Sequence, residues 1–258
     1  MTNEVHIDTI IEIARRAGEA TMEIYQREFS IEEKEDRSPL TEADQKSNEI
    51  IIAGLLEAYP EIPTISEEIK ALPYEERKTW DRFWLIDPLD GTKEFIKKNG
   101  EFTVNIALID GGIPTLGVVY QPAAAVLYYG SKGKGAFKID AAGVKTELHG
   151  GEHYSKLETV RVVASRSHMS AETEEFVEEL RAQGKTVDLA SSGSSLKLCM
   201  IADGSADVYP RFAPTMEWDT GAAHAVALEA GRQVLNRETG EPLQYNKENL
   251  LNPWFIVE

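Results

Sequence analysis

The chain predicts an α/β protein: two helices, an antiparallel run of strands, then a half in which helices and strands alternate. Three observations carry that reading. Residues 5–28 and 41–58 show helical periodicity, strand-like runs crowd residues 83–139, and alternation sets in from about residue 158. In the first helix Ile10, Ile13, Ala14, Ala17 and Ile24 fall on one side; in the second, Ile51, Leu55 and Leu56 oppose Glu and Lys. Between them, Glu32 to Ser38 reads as a charged loop. Strands follow at 83–87, 102–109, 114–121, 125–129 and 134–139, divided by turns bearing Gly and Pro, as in a meander. Beyond them come strand 159–164, helix 171–183, strand 186–190, helix 195–203, strand 206–209, helix 219–230 and strand 232–236. A boundary is expected near 140–156, where Gly143, Gly150 and Gly151 interrupt the patterns, and a cleft between the halves would suit a ligand.

With 258 residues, 42% of them hydrophobic and 28% charged, the chain can bury a large core. Its formal net charge of −17 argues against binding DNA or RNA polymers, which calls for clustered Lys and Arg. It also means that an anionic substrate would need cations to offset the local acid excess. The single cysteine, Cys199, excludes an internal disulfide, fits a reducing cytosol and lies in an apolar run as a core thiol would. No basic leader and no apolar stretch of the ~18–20 residues that span a bilayer is present, so a cytoplasmic protein is expected. Attachment to the inner face of the membrane stays open, although so acidic a chain is repelled by anionic lipid. Monomer and homodimer are both compatible with the sequence.

The most informative stretch is Trp84-Leu85-Ile86-Asp87-Pro88-Leu89-Asp90-Gly91-Thr92. An apolar strand ends in two carboxylates around a proline, which biases Asp87 towards an extended backbone. Two aspartates aimed at one point repel unless cations sit between them, so a divalent-metal site is expected. Gly91 and Thr92 follow as if opening a helix whose free N–H groups could hold a phosphate. Taken alone, Asp-Pro-Leu-Asp would equally make a surface turn. Partners are needed elsewhere. Ser66-Glu67-Glu68 follows the apolar stretch Ile62 to Ile65, read as a short strand ending in acids. Asp219 begins a helix of small residues that ends at Ala230-Gly231, where capping alone would also explain an aspartate. Thr41-Glu42-Ala43-Asp44 fits a capping box, and Asp44 could serve as a base if that helix end faces the cleft. His224 reads as a packed histidine, while His149, His153 and His168 show no ligand spacing.

Glu67, the Asp87-to-Thr92 run and Trp218-Asp219 with its small-residue helix together resemble the inositol monophosphatase superfamily of lithium-sensitive, magnesium-dependent phosphatases. The resemblance runs from Thr41 to Gly231. Asp90-Gly91-Thr92-Lys93-Glu94-Phe95, Gly193-Ser194-Ser195-Leu196-Lys197 and Tyr209-Pro210-Arg211-Phe212 look like its bacterial bisphosphate nucleotidase branch. Inositol phosphatases more usually carry asparagine where Glu94 stands.

That resemblance implies an α-β-α-β-α layered sandwich, also seen in fructose-1,6-bisphosphatase. Residues 1–145 would bear most metal ligands and residues 146–258 would bear Asp219 and substrate-binding segments. It implies two or three Mg²⁺ ions. Glu67, Asp87 and the Leu89 carbonyl would hold one; Asp87, Asp90 and Asp219 a second; a weaker third would join near Glu67. An all-oxygen set suits hard Mg²⁺ rather than zinc. The N–H groups of Gly91 and Thr92 would hold the scissile phosphate, and Asp44 with the Thr92 hydroxyl would orient a water activated by the metal, without a phosphoenzyme. Ser194, Ser195, Lys197 and Arg211 would serve a second phosphate. The implied activity is hydrolysis of the 3′-phosphate of 3′-phosphoadenosine 5′-phosphate to AMP and phosphate, clearing a by-product of sulfate assimilation. An inositol-phosphate or sugar-bisphosphate phosphatase is the nearest alternative, and a non-catalytic phosphometabolite or metal sensor a more distant one.

Overall fold

The structure, a computed structural model, describes residues 4–33, 39–164 and 169–258. Most of the expected charged loop, from residue 34 to Ser38, and His168 lie outside the described residues. Helix α1 (Ile7–Tyr25) buries Ile10, Ile13, Ala14, Ala17 and Ile24, the face its periodicity marks. A short antiparallel pair, β1 (Ile31–Glu33) and β2 (Pro39–Thr41), leads into α2 (Glu42–Ala58). The expected capping box closes there: the Thr41 N–H donates to Asp44 Oδ2 at 2.7 Å and the Ala43 N–H to Thr41 Oγ1 at 3.2 Å. Next come β3 (Thr64–Ser66), α3 (Tyr74–Arg77), β4 (Arg82–Asp90), the five-residue α4 (Thr92–Ile96), β5 (Thr103–Asp110) and β6 (Ile113–Gln121). Strands β7 (Val126–Ser131), β8 (Gly135–Ile139) and β9 (Lys145–Glu147) complete a seven-stranded sheet in sequence order from β3 to β9. The meander from β4 to β9 is antiparallel, as its short turns require; Gly111 and Gly112, both at positive φ, make the tightest of them. Only β3 runs parallel to its neighbour β4.

The remaining chain forms β10 (Thr159–Val163), α5 (Ala171–Ala182), β11 (Thr186–Ala190), α6 (Leu196–Ala202), β12 (Tyr209–Arg211), α7 (Glu217–Glu229), β13 (Val234–Asn236) and β14 (Phe255–Val257). A parallel pair β10–β11 and an antiparallel trio β12–β14–β13 are joined by a bridge between Val162 and Val208. The expected strand at 206–209 stands at 209–211, and β9 and β14, the central strand of the trio, were not expected from the sequence. Each has three residues, too few to display a period of two.

Alternation along β4 sorts the core. Trp84 and Ile86 pack with Ile10, Ile13, Ile51 and Leu55 beneath α1 and α2. Phe83 and Leu85 face the other way, against Cys199, Ala222, Ala223 and Val226 of α6 and α7. Val160, Val162, Phe176, Leu180 and Ile256 form a third cluster under α5. The layers are therefore helix, sheet, helix, sheet and helix. Helix α7 lies very close to the large sheet: a Cβ added at Gly117 would stand 2.1 Å from the Ala222 carbonyl oxygen. Gly117→Ala should cost about 3 kcal/mol through overpacking, lowering the melting temperature by roughly 6–12 °C. An unchanged melting temperature would show that α7 can lift away freely.

Candidate active site

Strand β4 carries two of the acids, and how they meet differs from a simple turn at a strand end. The strand continues through Pro88 to Asp90. In a regular strand, residues three apart point to opposite faces. Here Asp87 pairs with Asn105 and Asp90 with Thr103, so Pro88 and Leu89 together oppose the single residue Val104. Proline has no N–H for the ladder, and a bulge is where a strand tolerates it. The extra residue restores parity and turns both carboxylates to one side. The Ser47 hydroxyl, on α2, fixes the bulge by donating to the Pro88 carbonyl at 2.7 Å.

The other acids arrive from separate elements. Glu67 extends the β3–β4 pairing by one residue, its N–H donating to the Ile86 carbonyl at 3.1 Å. Asp219 is the third residue of α7 rather than its cap, and its Oδ2 accepts from the Met216 N–H at 2.9 Å. Asp87 is 1% exposed. Burial, first, and then the charges of Glu67, Asp90 and Asp219 hold its carboxyl well above the usual carboxylate range, and it is hydrogen-bonded to Glu67. Burial and then the Asp90 charge push Asp219 up to about 8, against the opposing pull of the Met216 N–H and Arg211. Among the described residues no three His, Cys, Asp or Glu side chains already stand around one point as ligands would. The four carboxylates are thus within electrostatic reach of one another without being closed into a cage. Their donor set, oxygen only, is that of a hard divalent cation.

Asp44 and Thr92 meet beside them. Asp44, 1% exposed, gives its Oδ2 to the N–H and hydroxyl of Thr41, and its Oδ1 accepts from the Thr92 hydroxyl at 3.2 Å. Gly91 turns the chain into α4 at φ +91°, a conformation that L side chains rarely adopt. The Thr92 hydroxyl also reaches the Leu89 carbonyl, at 3.4 Å.

Asp90, Gly91, Asp219, Lys197 and Arg211 share the wall of a cleft of about 340 Å³, to which Tyr209 and Phe212 add an aromatic side. Asp44, Glu67, Asp87 and Thr92 are not among its walls. The Lys197 ammonium donates to the Ser194 carbonyl at 2.7 Å, and burial lowers its pKa while Asp90, Glu94 and Glu101 oppose that. Arg211 donates through one guanidinium nitrogen to the Pro214 carbonyl at 3.1 Å, and its Nε is buried without a hydrogen-bond partner. The hydroxyls of Ser194 and Ser195 turn to Asp90 Oδ2, at 2.7 and 2.8 Å. Helix α6 has only seven residues and starts after them. His224 is buried against the Tyr245 hydroxyl at 2.9 Å and burial pushes it down to about 3, so it stays neutral. Cys199 is a buried core thiol.

Three polar residues of this region went unread in the sequence. Thr103 and Asn105 are buried opposite the two aspartates on β5. Their signal was two polar side chains spaced i, i+2 in an otherwise apolar strand. Glu217, fully buried, accepts from the Asn246 N–H at 2.7 Å and the Lys247 N–H at 3.0 Å, tying a C-terminal loop to the start of α7. Nothing in its local sequence distinguished it from a first-turn acid.

A layered sandwich with acids from β3, β4 and α7 beside an Asp–Thr pair defines a class of protein, and the chain belongs to the inositol monophosphatase family, whose model matches residues 2–254. It is similar to the 3′(2′),5′-bisphosphate nucleotidase CysQ of Escherichia coli K12, 46% identical over 254 residues that cover 97% of this chain and 98% of that one. The protein of the same name from Haemophilus influenzae is 33% identical, over 99% and 93% of the two chains. The crystal structure of CysQ from Bacteroides thetaiotaomicron superposes with a TM-score of 0.87 at 46% identity, covering 98% of this chain and 96% of that one. An inositol monophosphatase structure from Anabaena, at 23% identity and a TM-score of 0.74 over 97% and 89% of the chains, shares the fold. No described helix is long and apolar enough to cross a membrane.

Proposed function

We propose that the chain is a Mg²⁺-dependent 3′(2′),5′-bisphosphate nucleotidase that releases the 3′-phosphate of 3′-phosphoadenosine 5′-phosphate, leaving AMP, and so clears a by-product of sulfate assimilation. The observation that carries this reading is the electrostatic coupling of Glu67, Asp87, Asp90 and Asp219, two of which, Asp90 and Asp219, stand in the wall of a cleft that also holds Lys197 and Arg211. The resemblance to CysQ proteins over nearly the whole chain supports the choice of nucleotide.

The four carboxylates and the Leu89 carbonyl would hold the ions. Bound there, Mg²⁺ supplies Lewis acidity, activating water and offsetting charge on the phosphoryl oxygens and the leaving oxygen. The chain's own residues do the rest. Gly91 and Thr92 present backbone N–H groups to the phosphate. Asp44 takes a proton from the attacking water through Thr92: the Thr92 hydroxyl already donates to Asp44 Oδ1, so its oxygen is free to accept from water as it gives its own proton up. Thr41 keeps Oδ1 aimed by occupying Oδ2. The water oxygen bonds to phosphorus, the bond to the ribose 3′ oxygen breaks, and that oxygen takes a proton from solvent while Asp44 later returns its own to solvent. Arg211 and Lys197 lie across the cleft for the 5′-phosphate.

The test is phosphate release with Mg²⁺ from 3′-phosphoadenosine 5′-phosphate, inositol 1-phosphate and fructose 1,6-bisphosphate, each with and without Li⁺. Preference for the nucleotide, suppressed by Li⁺, is expected; preference for inositol or sugar phosphate would replace the substrate. Arg211→Ala should raise KM for the bisphosphate about tenfold, the scale of one charge-assisted hydrogen bond, and barely change it for a nucleoside monophosphate. Equal effects on both substrates would remove Arg211 from the second-phosphate role.

A further inference from the structure

We propose that Ser194 and Ser195, with Thr103 and Asn105 behind them, are positioning residues that aim Asp90 at the metal site rather than groups that bind substrate. The inference rests on the metal reading given above. Asp90 accepts the Ser194 hydroxyl at 2.7 Å and the Ser195 hydroxyl at 2.8 Å, both on Oδ2. Its Oδ1 accepts no hydrogen bond from any described residue. Two donors on one oxygen fix the plane of the carboxylate and leave Oδ1 as the oxygen presented to a cation.

Both hydroxyls are themselves held from behind. Asn105 Nδ2 donates to Ser195 Oγ at 2.9 Å, so the Ser195 oxygen is an acceptor on that side and directs its own proton forward. Thr103 Oγ1 lies 2.5 Å from Ser194 Oγ and 3.0 Å from Asn105 Oδ1. Thr103 is fully buried, and Asn105 and Ser195 are 1% and 2% exposed, so water cannot replace these partners. Ser195 Oγ also stands 2.8 Å from the Asp219 carbonyl oxygen. The one Ser195 proton, shared between the two acceptors, therefore links the bulge of β4 to the first turn of α7, the two elements that carry Asp90 and Asp219.

The strand register explains why these residue types are needed. Asn105 and Thr103 are the cross-strand partners of Asp87 and Asp90 across the bulge, where ladder hydrogen bonds are interrupted. Side-chain hydrogen bonds there do the fixing that the backbone ladder cannot. The strained placement of Ser194 at φ +55° is consistent with a side chain held by its partners. Ser194 and Ser195 line the cleft, but a substrate-binding role needs their protons for the ligand, and those protons are directed to Asp90 Oδ2 and, for Ser195, to the Asp219 carbonyl as well.

Orienting partners of a metal-ligating carboxylate are worth 10–100-fold in metal affinity. The test is Mg²⁺ titration of metal-free protein by calorimetry, with thermal unfolding in chelator as a check on folding. Ser194→Ala, Ser195→Ala and Thr103→Val should each weaken Mg²⁺ binding by about tenfold or more while affinity for AMP, measured without metal, stays at the wild-type value. Thr103→Ser, which keeps the hydroxyl and loses the methyl, should restore Mg²⁺ affinity. Wild-type Mg²⁺ affinity in Ser194→Ala and Ser195→Ala, with AMP binding weakened instead, would overturn the proposal and return the serines to the substrate. Should Thr103→Ser lose as much affinity as Thr103→Val, packing rather than the hydroxyl would be at work, which also overturns it. If wild-type protein itself binds no Mg²⁺, the metal reading fails first, and the two failures are distinguishable. Should Ser195→Ala not fold, Ser194→Ala and the Thr103 pair carry the comparison.

Discussion

Asp87→Asn is expected to reduce Mg²⁺-dependent phosphate release by about 10³-fold or more, the scale of losing a preorganised charge-stabilising group, and to abolish the rise in melting temperature that Mg²⁺ gives the wild type. Asp87 is the most enclosed of the four acids, and each of the others acts on it electrostatically. An asparagine there keeps the shape and the acceptor for the Leu89 N–H, which donates to Asp87 Oδ1 at 3.0 Å. It removes the charge that draws cations. The same substitution should stabilise the metal-free protein at neutral pH, because a carboxylate held among three others costs folding free energy until a cation or proton arrives. Loss of activity combined with a lower metal-free melting temperature would mean that Asp87 is structural; wild-type turnover would sink the site.

The second large effect is the pH dependence of stability without metal. Asp219 titrates in the folded protein at about 8, against an ordinary value of 3.8. A raised folded pKa means that the native state holds its proton more tightly than the unfolded chain. The associated stabilisation is fully present below pH 4 and is lost as pH rises through about 8. Asp219→Asn cannot lose it. In chelator, the melting temperature of the variant minus that of the wild type should be near zero at pH 4 and climb to several degrees by pH 8.5, a difference of about 2 kcal/mol or more in this linkage. Saturating Mg²⁺ should reverse the sign at pH 8.5, since only the wild type gains from the ion. A difference that is flat with pH would show that Asp219 stays ionised throughout, relaxed away from Asp90 and Glu67.

Much of this molecule was legible without coordinates. The apolar face of α1, the capping box that starts α2, the meander and the strand–helix–strand order around α5 followed from periodicity and turn residues, which are local. The acids could be picked out because a strand running into two aspartates is chemically unusual. How those aspartates meet was not legible. The sequence reading ended the strand at Asp87, whereas it continues through Pro88 to Asp90, and a bulge against β5 returns Asp90 to the side of Asp87.

The sequence by itself determined the residue types of the site, the segments that deliver them and the oxygen-only donor set that suits a hard cation. Only the tertiary structure decided that Ser194 and Ser195 face Asp90, that Thr103 and Asn105 belong to the same network, and that Glu217 ties the C-terminal loop to α7. The physical reason is range. Helical and strand periodicity and capping act within a few residues, whereas the serines reach Asp90 across more than a hundred positions, through a cross-strand register that no single segment encodes.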